Sequence, residues 1–137
     1  AWSRVFRACQ SASSTWFTKG TYSRSLTGGC LQVDEQGRVS YLEYVPTYEA
    51  AFDGWAKLVG ILYVSPSEVA RDIENRDRAQ RRSTRQYYMA PWVENLATMP
   101  CVAVDLGDAF VASFNDVRAY EEAILGLANS DGLRVTP

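Results

Sequence analysis

The sequence predicts an α+β protein in which an antiparallel sheet, built from two β-hairpins, packs against three to four helices. Two observations lead to this class. First, two pairs of short apolar segments, CLQVD with RVSYLEYV and CVAVDL with AFVASF, each flank a turn-like sequence, as β-hairpins do. Second, other segments carry apolar residues at helical spacing and lie apart from the hairpins along the chain.

Length and composition predict a single domain over residues 1–137. A chain of 137 residues buries roughly two thirds of its unfolded surface, which is enough for a core without metal or disulfide. Its 47% hydrophobic and 22% charged residues are ordinary globular usage. No apolar run approaches the roughly 20 residues needed to cross a bilayer. We therefore expect a soluble protein with no membrane partner.

The clearest helix signal is the sequence SPSE. Ser65 suits the cap, Pro66 suits the first helical position, and Glu68 completes a capping box. A long arginine-rich helix is predicted over 66–89. Apolar periodicity stops after Ile73, so the second half of this helix is expected to project from the body of the protein.

Four further helices are predicted from apolar residues at helical spacing. Their segments are Trp2 to Cys9, Tyr48 to Leu62 after a cap at Thr47, PWVENLATM at 91–99, and Asn115 or Asp116 to Leu127 before the terminator NSDG.

Charge is unevenly distributed along the chain. The net charge is −2 and the pI is about 5.1, which argues against a globally basic nucleic-acid-binding protein. Residues 1–29 are rich in Ser and Thr and carry four basic residues without an acid. The apolar residues Val5 and Phe6 predict that this segment is an ordered part of the domain.

Residue types exclude several chemistries. The chain has no histidine, which removes the commonest general base and most zinc sites. Its three cysteines show no C-x-x-C spacing and are expected to be buried thiols in a reducing intracellular compartment, with a Cys30–Cys101 bridge as the alternative. No catalytic, cofactor or metal motif is present, so binding is favoured over catalysis.

A cluster of aromatic residues marks a candidate pocket. Aromatic walls with a few polar groups are typical of ligand sites, and equally of a core between sheet and helix. Asp105, with Asp108, is the best carboxylate pair of the chain, although the same residues suit a hairpin turn. The candidate pocket residues are Tyr41, Tyr44, Tyr48, Trp55 and Asp105.

The segment RDIENRDRAQRRSTRQYY, residues 71–88, holds six of the twelve arginines. On a helix, three of them follow an acid four residues earlier, which is the favourable orientation. The pairs are Asp72–Arg76, Glu74–Arg78 and Asp77–Arg81, whereas Arg71, Arg82 and Arg85 have no acid at the matching position.

The unpaired arginines lead to the functional hypothesis. We expect a non-enzymatic binding or assembly module that contacts a protein partner, or a second copy of itself, through the Arg71–Tyr88 helix. One alternative is nucleic-acid or polyanion binding by Arg82, Arg85, Tyr87 and Tyr88. The other is a small-molecule sensor or His-independent enzyme that uses the aromatic pocket. The predicted partner-binding residues are Arg71, Arg78, Arg82, Arg85, Tyr87, Tyr88 and Trp92.

Overall fold

The computed structural model describes residues 2–10, 12–82, 89–109 and 117–130. Within these ranges the chain forms four α-helices, five β-strands and two 3-10 turns. The helices are α1 (Trp2–Ala8), α2 (Val69–Arg82), α3 (Ala90–Asn95) and α4 (Val117–Ser130). The strands are β1 (Ser14–Thr21), β2 (Gly28–Val33), β3 (Val39–Val45), β4 (Ala56–Tyr63) and β5 (Cys101–Asp105). The 3-10 turns cover Ala50–Phe52 and Pro66–Glu68.

The chain divides into two compact units. The first comprises Trp2–Gly107 and contains helices α1 to α3 with the five strands. The second comprises Ala1 and Asp108–Pro137, of which the structure describes α4 and a few residues at its start. Helix α4 confirms the last predicted helix and ends at Ser130, inside the predicted terminator. The prediction of a single domain over 1–137 stays a prediction.

The strands of the first unit form one mixed sheet in the order β3-β2-β4-β1-β5. Three neighbouring pairs are antiparallel, but β1 and β5 are parallel, with Ser14 opposite Cys101. The predicted antiparallel sheet of two hairpins is therefore wrong. The first hairpin is present as β2 and β3, whereas β5 pairs with β1 instead of opening a second hairpin. Residues 110–114 of the second predicted hairpin lie outside the described residues.

Strand β1 lies inside the sheet, between the central strand β4 and the edge strand β5. Most of its residues fall in the basic segment 1–29, where this strand was not predicted. Five consecutive residues, Ser14 to Thr18, are buried. Such a run occurs where both faces of a strand are covered, and it lacks the alternation that identifies a half-buried strand.

One face of the sheet packs against α3 and the residues that flank it. Trp16 and Leu31 from the sheet are fully buried, as are Met89 and Trp92 from the helical side. These side chains form the main core cluster together with Val39, Leu42, Leu58, Met99 and Cys101. The helix predicted over 91–99 is confirmed in its first half by α3, and this helix covers the core.

The outer strands of the sheet approach each other at one point. Arg38, at the tip of the β2–β3 hairpin, forms an isolated antiparallel bridge with Val102 of β5. The backbone N–H of Ala103 donates to the carbonyl oxygen of Gly37 at 3.2 Å. The sheet thus curls until the hairpin tip meets β5.

The helix predicted from Tyr48 to Leu62 is wrong. The structure has a 3-10 turn over Ala50–Phe52 and then strand β4. Gly54 and Gly60 have φ values of +82° and +76°, which a right-handed helix does not contain. The run AKLVGILYV is short and uninterrupted, so its periodicity does not separate a buried helix from a buried strand.

The long projecting helix predicted over 66–89 is also wrong. Within the described residues α2 begins at Val69 and packs on α3, with Asp72 and Asn75 buried. Ser65 makes no side-chain cap, and the 3-10 turn precedes the helix. Residues 83–88 lie outside the described residues. No helix in the described ranges is both long enough and apolar enough to cross a bilayer.

The structure does not bring Cys30 and Cys101 together. Cys30 lies on β2 and Cys101 on β5, and both thiols are free and buried. They belong to separate buried clusters, Cys101 to the main core and Cys30 to a cluster with Tyr22 and Val45. Because both thiols are free, the alternative of a Cys30–Cys101 bridge is wrong.

Candidate functional site

A groove of about 430 Å³ opens between strand β3 and helix α3. Its sheet side is formed by five consecutive residues, 39 to 43, and its helix side by Val93, Leu96 and Ala97. Val93 and Leu96 are partly buried against the core, and Ala97 is exposed. The groove therefore has an apolar helical wall, and Glu43 places a negative charge in its lining.

Strand β3 is an edge of the sheet. In the part of the chain that the structure describes, β2 is its strand partner, and Arg38 adds the single bridge to β5 at the hairpin tip. In an antiparallel pair, alternate residues turn their backbone N–H and C=O away from the partner strand. Along the groove these groups of β3 face away from β2 and form an open edge.

Helix α3 is fixed against the core by a buried hydrogen bond. Trp92 is 0% exposed, its ring meets Trp16 edge to face at 6.3 Å, and its Nε1–H donates to Asp72 Oδ1 at 2.9 Å. The Arg76 guanidinium donates to the other Asp72 oxygen at 2.8 Å. Because α2 holds α3 through Asp72, the helical wall of the groove has a defined position.

The groove adjoins a set of three aromatic rings that we call the aromatic corner: Tyr41, Phe52 and Trp55. The Trp55 ring centroid lies 6.0 Å from that of Tyr41 and 4.8 Å from that of Phe52. Tyr41 is 61% exposed, and it lines the groove as well. Tyr41 therefore belongs to both sets, although its side chain alternates with that of Leu42 and lies on the opposite face of the sheet from α3.

A second aromatic group lies beside the corner. Tyr22 is buried, stacks on Tyr48 at 6.2 Å and contacts Phe52 at 6.1 Å. The Arg24 guanidinium lies over the Tyr48 ring, 4.4 Å from its centroid. The Tyr48 hydroxyl donates to Asp53 at 2.6 Å, and this hydrogen bond raises the pKa of Tyr48. The cluster thus already holds one cation against an aromatic face.

Lys57 lies on the same face of the sheet, opposite Cys30. Its ammonium group donates to the Leu58 carbonyl at 2.9 Å and lies close to Gly28. Partial burial lowers the pKa of Lys57, and burial raises the pKa of Cys30 to about 11. The thiol is therefore a packing group and not a nucleophile at neutral pH.

The structure brings together three of the five predicted pocket residues. Tyr41, Tyr48 and Trp55 belong to the aromatic groups just described. Tyr44 packs with the main core instead. Asp105 ends β5, where its carboxylate accepts the Gly107 N–H in a turn, and three strands separate β5 from β3. In the described ranges no three acids, cysteines or histidines are grouped as metal ligands.

Two of the predicted arginines are engaged within the protein. Arg71 pairs with Glu68 at 3.4 Å and donates to the Thr98 carbonyl, and Arg78 pairs with Glu74. Trp92 is buried, so its predicted role at a partner-binding surface is wrong. The side chain of Arg82 and all of Arg85, Tyr87 and Tyr88 lie outside the described residues.

Sequence reasoning missed the groove because its two walls come from distant segments. Val93 and Leu96 are 50 residues or more beyond the lining residues 39–43, and only the packing of α3 places them there. Arg24 gave no signal in the sequence. Glu43 did give a signal in the sequence. It lies two residues from Tyr41 on a predicted strand, and therefore on the same face of the sheet.

Comparison with known proteins informs the fold alone. No protein-family model and no curated protein matches the chain. A solved structure titled for the catalytic mechanism of CTP:phosphocholine cytidylyltransferase from Streptococcus pneumoniae (LicC) is similar, with a TM-score of 0.68 and 12% sequence identity. The match covers 86% of this chain and 50% of that one, so the chain spans about half the length of its structural neighbour.

Proposed function

We propose that this protein is a binding module that takes up an extended segment of a partner protein along β3. The observation that carries the proposal is the open edge of β3 beside an apolar helical wall. Strand addition uses the free backbone groups of such an edge for affinity, and neighbouring side-chain pockets for specificity. The groove offers both elements at one place.

The dimensions of the groove support this mode of binding. Five consecutive strand residues line it, so an added strand gains several main-chain hydrogen bonds. Alternate side chains of that strand then face the apolar surface of Val93 and Leu96.

The arginine-based form of the hypothesis stays a prediction. Arg71 and Arg78 already have acidic partners, and the remaining residues of that surface lie outside the described part of the chain. Self-association also stays a prediction. The same open edge of β3 gives it a structural route, because two copies can pair edge to edge in an isologous contact.

The proposal is tested by selecting random 12-residue peptides on the immobilised protein. Selected peptides are expected to slow amide hydrogen exchange in residues 39–43, because their strand covers the free backbone groups. Ala97→Trp places a large ring in the groove and is expected to weaken binding at least tenfold. Ala70→Trp, at an exposed position of α2 outside the groove lining, serves as the matched control.

Two results contradict the proposal. One is that the library yields no binder that protects residues 39–43. The other is that Ala97→Trp binds the selected peptides as tightly as Ala70→Trp does. Protection that rises with protein concentration in the absence of peptide identifies a second copy as the occupant of the edge.

A further inference from the structure

The aromatic corner borders β3 on the face opposite the helical wall of the groove, so the side chains of an added strand would reach the wall and the corner alternately. Tyr41 lies opposite Gln32 of β2, and its ring reaches across to Trp55. Glu43 is two residues further along β3 and therefore on the same face as Tyr41. A strand separates such neighbours by about 7 Å, so a carboxylate stands beside the aromatic pair.

The rings of the corner present faces that attract a cation. Tyr41 is inclined at 46° to Trp55, and Phe52 at 66°. Rings set at such angles around a common neighbour form part of a cage, and tryptophan has the strongest attraction for a cation. In the described part of the chain no cationic side chain lies over Trp55, whereas Arg24 lies over Tyr48.

The local charges favour a positive group at this position. Glu43 is exposed and supplies the charge of the groove lining. Lys57, the nearest lysine in the sheet register, directs its ammonium towards Gly28. Gly28 lies on the opposite side of Cys30 from Gln32 and the Tyr41 ring. The corner therefore has aromatic faces and a carboxylate, with the lysine turned away.

We infer that the aromatic corner receives a lysine or arginine side chain of the segment bound along β3. The inference rests on the proposed function and adds the chemistry of the partner. Apolar side chains of the segment contact the helical wall, and one cationic side chain reaches past Tyr41 to Trp55. Glu43 balances its charge, while the ring faces replace part of its hydration.

The cation preference is tested first without any peptide. The ¹⁵N-labelled protein is titrated with tetramethylammonium chloride at constant ionic strength, and the indole N–H signals are followed by NMR. The Trp55 signal is expected to shift saturably, with a dissociation constant of about ten to a hundred millimolar, as weak cation–π contacts give. The neutral analogue tert-butanol, of similar shape, is expected to leave it unchanged.

Variants connect the signal to the corner. Glu43→Gln and Tyr41→Leu are each expected to weaken tetramethylammonium binding about two- to fivefold. Glu35→Gln removes an exposed acid from the hairpin turn and is the charge-matched control, with no expected change. A Trp55 signal that responds equally to tert-butanol, or that ignores both compounds, overturns the inference.

The peptides selected on the groove provide the second arm. They are expected to carry a lysine or arginine, and norleucine at that position is expected to weaken binding about two- to fivefold for the wild type and by a smaller factor for Glu43→Gln, which keeps the ring faces. Peptides that protect residues 39–43 without any such preference overturn the inference and leave the proposed function intact. Tetramethylammonium binding without any groove-binding peptide contradicts the proposed function and the assignment to a bound segment together.

Discussion

Cys30 and Cys101 show how burial decides the reactivity of a residue. Burial raises the pKa of the Cys30 thiol to about 11 and that of Cys101 to about 12. At pH 8 only about one Cys30 side chain in a thousand is then in the reactive thiolate form, and the fraction is smaller for Cys101. The surrounding core also blocks the access of reagents to both thiols. Cys9, beyond the end of α1, is only partly buried.

We therefore predict a single fast thiol. At pH 8 a disulfide reagent such as DTNB is expected to release about one equivalent quickly from the folded protein, from Cys9, and the other two only after denaturation. Cys9→Ser is expected to abolish the fast phase. A second or third rapid equivalent in the native protein shows instead that the strands carrying Cys30 and Cys101 open readily.

At the scale of elements, Asp72 joins α2 to α3. Glu74, on the same helix, serves as a control for the energetic contribution of Asp72. Asp72 and Glu74 each pair with the arginine four residues later, as predicted. The Asp72 side chain is 9% exposed and also accepts the Trp92 indole N–H, whereas that of Glu74 is 63% exposed. The two ion pairs have the same spacing along the sequence, but they are expected to contribute differently to the free energy of unfolding.

We predict that Asp72→Ala lowers the free energy of unfolding by about 2–3 kcal/mol, because it leaves the buried Trp92 N–H without its acceptor. Glu74→Ala is expected to cost at most about 0.5 kcal/mol, as exposed helical ion pairs do. Urea denaturation measures both. In a double-mutant cycle, Trp92→Phe is expected to remove most of the Asp72 effect; equal costs for Asp72→Ala and Glu74→Ala contradict the prediction.

Prediction from sequence succeeded for elements with local signals. The turn before β3 and the terminator of α4 each depend on a few neighbouring residues, and the β2–β3 hairpin and helix α4 were both predicted. Strand β4 was predicted as a helix because its apolar run is compatible with either structure, and only its pairing with β1 and β2 decides. Strand β1 was missed because both of its faces are buried, which removes alternation from the sequence.

The same distinction applies to the candidate site. Tyr41 and Trp55 were predicted to cluster, since a strand and the segment after it lie close along the chain. The groove depends on α3, whose Trp92 packs on Trp16 of β1, a residue far away along the chain. Contacts between residues so far apart along the chain leave no local pattern in the sequence. The predicted binding surface was therefore the arginine-rich segment and not the groove.

For the first unit as a whole, the β2–β3 hairpin tip holds the curled sheet together. The tip contacts β5 through Gly37 and Arg38. Asp34 organises it: one carboxylate oxygen accepts the backbone N–H groups of Gln36 and Arg38 at 2.9 Å, and the other accepts Arg38 Nε at 2.8 Å. The backbone hydrogen bond from Arg38, with the further bonds to the carboxylate, lowers the pKa of Asp34.

A lowered pKa fixes the direction of a pH effect on stability. The ionised Asp34 favours the folded state fully above the ordinary aspartate pKa of about 3.9, and this contribution is lost as the pH falls through the lower folded-state pKa. Asp34→Asn keeps an oxygen for the backbone N–H groups but never carries the charge. We therefore predict that it is less stable than the wild type at pH 7, and that the difference shrinks below about pH 4.

Denaturant unfolding at pH 7 and pH 3 measures this difference. Asp53→Asn is the control at another exposed aspartate, which accepts the Tyr48 hydroxyl and lies away from the hairpin tip. Amide exchange at Ala103 reports on the contact between the tip and β5, and it is expected to become faster in Asp34→Asn at pH 7. If Asp34→Asn loses the same amount of unfolding free energy at both pH values, the carboxylate charge does not stabilise the hairpin tip. The contact between the tip and β5 then depends on the backbone hydrogen bonds alone.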